Sequence, residues 1–344
     1  MSPVLPPALP RALSRSRARA LPSAAPRTSV ALAAAGVAAV LLTACSTTSD
    51  AATSTGGTSA ATGSATRTVD SEVGEVTLPT DPQAALGMYT TDLDMLITLG
   101  VPLAQSQPIR DNGYSTFPSF FDQEALEGIT PFTNFPEFSY ESILAAQPDL
   151  IVNGLGYDES IGTKLAEIAP TYSFNGFDGS DWRVKFEALA EALGRTAEHD
   201  AWTEKYQAKV DDIRSRLDAA GLDPVVGSVG VDDDQVTVSC YGTPCLVFDD
   251  LGLDITPLSD GEGAYLSFEE VGQLDGIDAV FTSMPPETDG SFGDSFEALA
   301  GNAVWQQLPF VTEGQVFTSD LEMIYGSPSG QYAFLEEVEK ALLP

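Results

Sequence analysis

Side chains that could carry out catalysis are scarce in this chain of 344 residues. His199 is its one histidine, and the sequence contains no G-x-S-x-G, G-x-x-x-x-G-K-S/T or H-E-x-x-H motif. A serine-type triad needs a histidine beside its nucleophile, but His199 falls within a long helical pattern. Carboxylate pairs are unavoidable among 50 acidic residues, so they identify no site. These observations argue against an enzyme.

The same shortage of ligands argues against direct capture of a metal ion. Zn²⁺ and similar ions need clusters of histidine, cysteine or carboxylate ligands, and His199 is better explained as a solvent-facing or packing residue of its helix. We therefore expect no metal site and no cofactor bound by the protein itself.

Cys45 stands where an apolar segment meets a polar one, in the stretch LLTACSTTSD. Five arginines and no acidic residue precede it, and residues 30–42 are apolar. This arrangement is typical of a secretory signal, and the apolar run is shorter than the about 20 residues of a membrane span. LTAC at residues 42–45 resembles the lipobox of bacterial lipoproteins, which implies cleavage after residue 44 and two acyl chains on Cys45. The alternative is an ordinary signal with a chance cysteine.

Residues 45–68 are rich in Ser, Thr, Ala and Gly and predict a flexible tether, with the folded part beginning near Val69. Five of the 16 basic residues precede Cys45 and all 50 acidic residues follow it, so the mature chain is near −39. Nucleic acid is excluded as a partner, because phosphate binding needs a basic surface. The acidity either serves solubility or repels anionic ligands, and both effects can operate together.

The other two cysteines, Cys240 and Cys245, flank a Gly-Thr-Pro turn in SCYGTPC. An exported chain favours a disulfide, and the turn would bring the two thiols close. Two unpaired thiols are the alternative.

Short apolar runs alternate with helical patterns along most of the chain. The first half predicts strands at residues 84–88, 101–106, 148–154 and 170–174, with helices at 90–100, 139–147 and 159–169 between them. The second half predicts strands at 225–231, 235–239, 277–284 and 315–320, with helices near 246–251, at 267–274 and from Pro328. This alternation is typical of parallel sheets flanked by helices.

Between the halves, residues 181–220 are helical throughout and are divided by Gly194. In the second helix, Trp202, Tyr206, Val210, Ile213 and Leu217 keep the 3.6-residue period. We predict a signal at 1–44, a tether at 45–68, an N-terminal α/β lobe at 69–196, a connecting helix at 197–220 and a C-terminal α/β lobe at 221–344.

A sequence pattern that occurs once in each half of the chain indicates two related lobes. Ser139-Tyr140-Glu141 precedes a buried strand pattern at Asp149, and Ser267-Phe268-Glu269 precedes another at Asp278. Each segment predicts a capped helix, a turn and a strand. Two such lobes on one stiff helix form a cleft at their strand ends, where ligands bind.

Three segments carry a family resemblance: SYESILAAQPDLIVNGLGY, SFEEVGQLDGIDAVF and NAVWQQLPFVTEGQVF. They resemble the substrate-binding lipoproteins of iron-siderophore and cobalamin ABC importers, over roughly residues 76–343. Many relatives carry an arginine where this chain has Ala84-Ala85. The resemblance implies two Rossmann-like lobes joined by a single long helix (a class III substrate-binding protein), small lobe motions and a ferric chelate as cargo. It also implies a monomer on the outer face of the cell membrane, held by its lipid, with an ABC permease as partner.

Binding residues are expected in the loops that follow strands. Arg110, in SQPIRDNGY, could donate to hydroxamate or carbonyl oxygens near the iron; its alternative is a surface ion pair with Asp111 or another acid. By their positions in the family, three tyrosines join it, and three further aromatic residues are weaker candidates: Tyr157, Tyr265 and Tyr325, then Tyr89, Tyr114 and Trp182. For each ring, simple packing is the alternative.

The negative charge of the chain narrows the class of iron complex that it is expected to bind. Triscatecholate and citrate complexes of iron are anionic, and their receptors cluster arginines, of which only six remain after Cys45. Hydroxamate complexes are neutral or slightly cationic, so the sequence favours a ferric hydroxamate; cobalamin and haem are the alternatives. In this family one acid on each lobe pairs with permease arginines, and Glu159 and Glu269 lie near the matching helix starts. An acid favourable at a helix start explains them equally.

Overall fold

The computed structural model describes residues 65–110, 113–232, 235–286 and 291–343. The predicted signal, Cys45 and nearly all of the predicted tether lie outside the described residues. No helix within the described ranges is long and apolar enough to cross a bilayer.

The N-terminal lobe combines short parallel strands with helices on their faces. Its strands are β1 (Thr66–Ser71), β2 (Gly74–Pro79), β3 (Ala85–Gly87), β4 (Ser106–Ile109), β5 (Thr130–Thr133), β6 (Leu150–Asn153) and β7 (Thr171–Ser173). Its helices are α1 (Thr90–Thr98), α2 (Tyr140–Ala145), α3 (Glu159–Ala166) and α4 (Trp182–Leu193). Strands pair in parallel in the order β3-β6-β7, and β4 pairs in parallel with β5. Their carboxyl ends therefore share one edge, where loops can hold a ligand.

The ordered fold begins earlier than the sequence predicted. β1 and β2 form an antiparallel hairpin in which Thr66 pairs with Pro79 and Val69 with Val76. Thr66 to Thr68, assigned to the tether from their composition, belong to this strand because β2 supplies backbone partners that composition alone does not reveal.

A single long helix, α5 (Thr196–Ala220), joins the two lobes. Gly194 ends α4 and Gly221 ends α5, both in the left-handed conformation that glycine adopts without strain. At 1.5 Å per residue, the 25 residues of α5 span about 37 Å. As the period predicted, its buried stripe is Tyr206, Val210, Ile213 and Leu217, with Trp202 partly buried. The predicted fold class, two α/β lobes on one long helix, is confirmed.

The C-terminal lobe is built on a mixed sheet. Its strands are β8 (Val225–Asp232), β9 (Gln235–Val238), β10 (Asp254–Ile255), β11 (Ala264–Ser267), β12 (Ala279–Met284) and β13 (Val316–Asp320). Its helices are α6 (Thr243–Leu251), α7 (Ser291–Ala300), α8 (Pro309–Thr312) and α9 (Pro328–Leu342). The order is β11-β9-β8-β12-β13, with β10 beside β8; β9 is antiparallel to both of its neighbours and the other pairs are parallel. Ser327 caps α9 and Pro328 opens it, as predicted.

Two predicted elements differ in the structure. The strand expected at 101–106 is reduced to a bridge at Leu103, because Pro102 has no N–H to donate, and regular pairing starts at Ser106. The helix expected at 267–274 is a turn, in which Glu270 accepts from the Ser267 N–H and hydroxyl, followed by a 3₁₀ turn over Val271–Leu274. The two repeated segments therefore share the position of the strand that follows them, but only the first segment forms a helix.

The connecting helix packs on the cores of both lobes. The Trp202 ring lies 5.7 Å from Phe186 of the N-terminal lobe and stacks at 5.3 Å on Tyr206, whose neighbours include Phe248 of the C-terminal lobe. Fully buried rings such as Phe186 and Phe248 each contribute about 2 kcal/mol. His199 packs against Phe186 at 5.1 Å within this layer.

Candidate ligand-binding cleft

Arg110 lies at the centre of a cluster formed by both lobes. It follows β4 at the carboxyl end of the strand and is only 4% exposed. Its guanidinium carbon lies 3.9 Å from the ring centroid of Tyr89 and 3.8 Å from that of Tyr325. Tyr89 belongs to the N-terminal lobe and Tyr325 to the C-terminal lobe, so the cation is stacked between rings of opposite lobes. The structure brings these three predicted residues together.

Glu322 neutralises Arg110, although nothing in the sequence distinguishes it from the other acidic residues. Its carboxylate forms an ion pair with Arg110 Nε and accepts a hydrogen bond of 2.6 Å from Thr90 Oγ1. Burial alone would lower the pKa of Arg110, but the charge of Glu322 outweighs that effect, so the guanidinium stays protonated. Arg110 thus pairs with an acid, but across the cleft and not on the surface. Arg110 Nη2 is buried without a hydrogen-bond partner among the described residues.

Tyr114 fixes the segment that carries Glu322. Its hydroxyl donates to Asp320 and accepts 3.0 Å from the Glu322 N–H. Burial and the neighbouring carboxylate raise the pKa of Tyr114 well above its usual range. Tyr114 therefore acts as a bridge between the lobes at the base of the cleft.

A line of rings leads from this cluster to solvent. Tyr89 meets Phe177 edge-on at 5.9 Å, and Phe177 meets Tyr157 edge-on at 6.0 Å. Tyr157 is 60% exposed and Phe177 41% exposed. Large exposed aromatic rings are suited to contact with a ligand. This line of rings therefore provides apolar faces at the mouth of the cleft.

Trp182 lies where the two lobes meet. Its indole N–H donates 2.6 Å to the side chain of Gln331 on α9, and its ring packs directly on Gly326. A Cβ at Gly326 would lie 2.6 Å from the Trp182 ring, so only glycine allows this approach. Beside Trp182 a cavity of about 250 Å³ opens between the lobes, lined also by Asp181, Tyr241, Asp249 and Tyr325.

Tyr265, Glu159 and Glu269 lie elsewhere. Tyr265 is on the edge strand β11, between the partly buried Ala264 and the buried Leu266. The alternation of the strand turns the Tyr265 side chain to solvent, at 65% exposed. It does not line the cavity beside Trp182, and its predicted role in ligand binding therefore stays a prediction. Glu159 is exposed in the first turn of α3, and Glu269 is exposed in the turn after β11.

Cys240 and Cys245 lie at the wall of the cavity. The structure joins them, with their Cα atoms 5.2 Å apart. Gly242, in the turn between them, contacts the Ile324 carbonyl so closely that a Cβ would lie 2.1 Å from the oxygen. The short loop therefore holds Tyr241 beside the segment that carries Tyr325.

We predict that reduction of this pair lowers stability. Closing so short a loop stabilises a fold by about 2 kcal/mol in the chain-entropy description, which corresponds to a fall of about 4 °C in melting temperature on reduction. The check is thermal unfolding with and without a reductant that reaches the pair, with the Cys240→Ser/Cys245→Ser variant as control. Alkylation of both thiols without reduction would contradict the disulfide.

Asp92 organises the backbone under the cleft. This fully buried side chain accepts from the Tyr89 N–H at 3.1 Å and from the Gly154 N–H at 3.0 Å. As the third residue of α1, it caps the helix by accepting from the N–H of the N-cap residue Tyr89, and it ties the helix to the loop after β6. Burial raises the pKa of Asp92 to about 7, against the opposing effect of the two N–H donors.

We predict that this carboxyl makes stability depend on pH. The unfolded chain ionises Asp92 near 3.8 and the folded chain near 7, so its contribution is full below 3.8 and is lost as pH rises through 7. Asp94 and Glu322 act in the same direction, because burial raises their pKa values too. Between pH 5 and 7.5 the unfolding free energy of Asp92→Asn should fall by about 2 kcal/mol less than that of the wild type, measured in urea. Equal pH dependence of the two proteins would contradict the assignment, and Asp218→Asn on the surface of α5 is the control.

The lobed fold and its cleft are those of a ligand-binding protein. The sequence profile of the periplasmic binding protein family matches residues 104–322, more than half of the chain. The chain therefore belongs to that family. A Bacillus subtilis relative, YhfQ, described as an ABC transporter substrate-binding lipoprotein, is 21% identical over 80% of this chain and 88% of its own length.

Solved structures share the fold at low sequence identity. Staphylococcus aureus SirA complexed with staphyloferrin B has a TM-score of 0.65 at 18% identity, over 80% of this chain and 98% of that one. A Bacillus subtilis protein of the FhuD fold family, described as a component of a Fep/Fec-like ferrichrome ABC transporter, has a TM-score of 0.63 at 23% identity, over 80% and 99%. At these identities the likeness establishes the fold.

Proposed function

We propose that this protein is an extracytoplasmic receptor that binds a ferric siderophore of the hydroxamate type between its lobes and delivers it to an ABC permease. Relatives of the same fold bind siderophores or serve ABC transporters by their descriptions. The observation that carries the choice of hydroxamate is the pairing of Arg110 with Glu322.

The pairing removes the positive charge that an anionic chelate would need. Arg110 is the buried cation of the ring cluster, and Glu322 cancels it. Asp181 and Asp249 line the adjoining cavity, and Asp320 lies beside Glu322. Catecholate and citrate complexes carry several negative charges and would meet repulsion here. Neutral and cationic hydroxamates would not, and the Tyr89, Phe177 and Tyr157 rings offer apolar faces for a chelate backbone.

The test is a panel of ligands titrated against the intrinsic fluorescence of the protein. Trp182 and Tyr325 line the cleft, so a bound ferric complex should quench emission. Ferrichrome and a ferrioxamine should bind with sub-micromolar dissociation constants, whereas a ferric triscatecholate should bind at least about 100-fold more weakly, equivalent to 2.7 kcal/mol of repulsion and lost contacts. Response to cobalamin or haemin with silence toward both hydroxamates would replace the proposal by that alternative.

The anchor and the permease contacts complete the proposal. Lipid on Cys45 would hold the receptor at the outer face of the membrane as a monomer. Glu159 and Glu269, both exposed and each on a different lobe, would pair with cationic side chains of the permease. An ion pair at an interface rim affects chiefly the association rate.

We predict that Cys45→Ser releases the protein from membranes. Two acyl chains give stable attachment, and Cys45→Ser removes the thiol that would carry them. Fractionation of cells expressing the variant should move the protein from the membrane pellet to the soluble extracytoplasmic fraction, while a serine-to-alanine change at Ser46 should not. Retention of Cys45→Ser in the pellet would refute the anchor.

A further inference from the structure

The cavity beside Trp182 differs from the ring cluster in its charge. It is open to both lobes: residues 176–182 of the N-terminal lobe form one side, and residues 240–249 with Tyr325 form the other. No lysine or arginine is among its lining residues, whereas two carboxylates are, Asp181 and Asp249. The cavity is thus an acidic recess next to a neutralised site.

One of these carboxylates has no counter-ion. Asp181 caps α4 and pairs with Arg183 at 2.7 Å. Asp249, on the last turn of α6, is exposed, and no cation among the described residues pairs with it. An acid in the last turn of a helix lies near the negative end of the helix dipole, which is unfavourable unless a positive charge approaches. Asp249 is therefore the group of the cavity whose charge remains available.

The nearby cations are already occupied. Arg183 divides between Asp181 and Asp250, and Lys185 divides between Glu72 and Asp178. Four carboxylates pair with these two cations, and Asp249 is a fifth carboxylate of this region that pairs with no cation among the described residues. The local potential is negative, and a cation entering from solvent would be attracted.

The walls suit an organic cation better than a metal ion. Trp182, Tyr241 and Tyr325 line the recess, and aromatic faces attract alkylammonium groups at distances within about 6 Å. A divalent metal would need several oxygen ligands together, and no group of three metal-binding side chains occurs among the described residues. These three rings and the unpaired carboxylate of Asp249 can together bind an ammonium group at the end of an aliphatic chain.

The size of the recess fits part of a ligand. Its volume of about 250 Å³ lies below the about 300 Å³ at which sites for whole drug-sized ligands begin. Tyr325 stacks on Arg110 and also lines the recess. A chelate that contacts Tyr325 in the cleft would therefore place a flexible side arm at the opening of the recess.

We infer that this cavity binds a protonated primary amine carried on an arm of the siderophore, with Asp249 as its counter-ion. The inference rests on the proposed function and refines it. The expected ligand is a ferric hydroxamate chelate that carries a free alkylammonium group, and not merely a neutral hydroxamate chelate. The amine contributes through its charge and through the ring faces, and no covalent step is involved.

The test compares two ligands that differ in one charge. Ferrioxamine B carries a free alkylammonium arm, and its N-acetyl derivative has the same iron centre with a neutral arm. The wild type should bind ferrioxamine B about 5- to 20-fold more tightly, since a cation–π contact together with an ion pair is worth about 1–2 kcal/mol. Asp249→Asn should reduce this preference to about twofold or less, mainly by weakening the charged ligand. Asp218→Asn, outside the cavity, is the matched control and should keep the full preference.

The outcomes separate the two proposals. Equal affinity of the wild type for both ligands, or an undiminished preference in Asp249→Asn, would overturn the amine site while leaving a hydroxamate receptor intact. Failure of both ligands and of ferrichrome to bind would overturn the proposed function and the amine site with it. Unfolding curves of Asp249→Asn show whether it folds, and the wild-type comparison of the two ligands tests the inference without any variant.

Discussion

Arg110→Ala is expected to abolish high-affinity binding and to lower stability at the same time. The substitution removes the cation that is stacked between Tyr89 and Tyr325 and leaves the Glu322 carboxylate buried, at 2% exposed, without its partner. Breaking one side of a buried ion pair costs about 3–5 kcal/mol. The affinity for a ferric hydroxamate should fall at least about 100-fold, because the donor and the arrangement of both lobes around it are lost.

A second variant separates these two effects. Arg110→Ala/Glu322→Gln removes the unpaired charge together with the cation, so most of the lost stability should return while the affinity stays low. Urea unfolding measures the first quantity and ligand titration the second. Wild-type affinity in Arg110→Ala would show that the cluster is structural only. The loss of stability could not be predicted from the sequence, because the sequence does not reveal that Glu322 is the partner of Arg110.

Tyr325→Ala is expected to weaken binding about 30- to 100-fold with a modest effect on stability. This ring stacks on Arg110, lines the cavity and is only partly buried. Truncation of a central aromatic contact typically costs 2 kcal/mol or more in binding. The cost to folding should be about 1 kcal/mol, because the ring contributes one cation–π contact and little of the core.

The matched control lies in the same lobe. Tyr332→Ala removes a half-buried ring on α9 that also meets a cation, with Lys205 Nζ 4.3 Å from its centroid, but this ring is not among the cavity residues. Its affinity for the ligand should stay within twofold of the wild type. Equal losses in Tyr325→Ala and Tyr332→Ala would mean that the change acts through the fold and not through contact with the ligand.

The architecture was predictable because its signals are local. The 3.6-residue stripe of α5, the glycines at 194 and 221 and the cap at Ser327 depend on neighbours within a few residues. Prediction from similar sequence segments was wrong where the surrounding residues decide the structure. Ser139 begins a helix, whereas Ser267 begins a turn. Gly272 and Gly276 make the second segment a poor helix former, and the N–H and hydroxyl of Ser267 both donate to Glu270 in the turn.

The cleft was predictable in part. Arg110 was found because it lies in a predicted cleft loop and few arginines follow Cys45, and Tyr325 was found by its position in the family. Glu322 was missed because it is one of 50 acids and lies more than 200 residues from its partner. Asp92 was hidden within a helix pattern, where a carboxylate is normally exposed. Tyr265 was assigned by position in a family, and strand alternation at a sheet edge directs it to solvent. Contacts between distant residues, and not composition, determine which polar groups are buried.

The most direct test is a crystal structure of the protein with ferrichrome. We expect the chelate between the lobes, with its backbone against Tyr325 and the rings that lead to Tyr157. We also expect it to accept a hydrogen bond from Arg110 Nη2, which has no partner among the described residues. A chelate bound on another surface, with the Arg110 cluster and the adjoining cavity unchanged, would contradict the account.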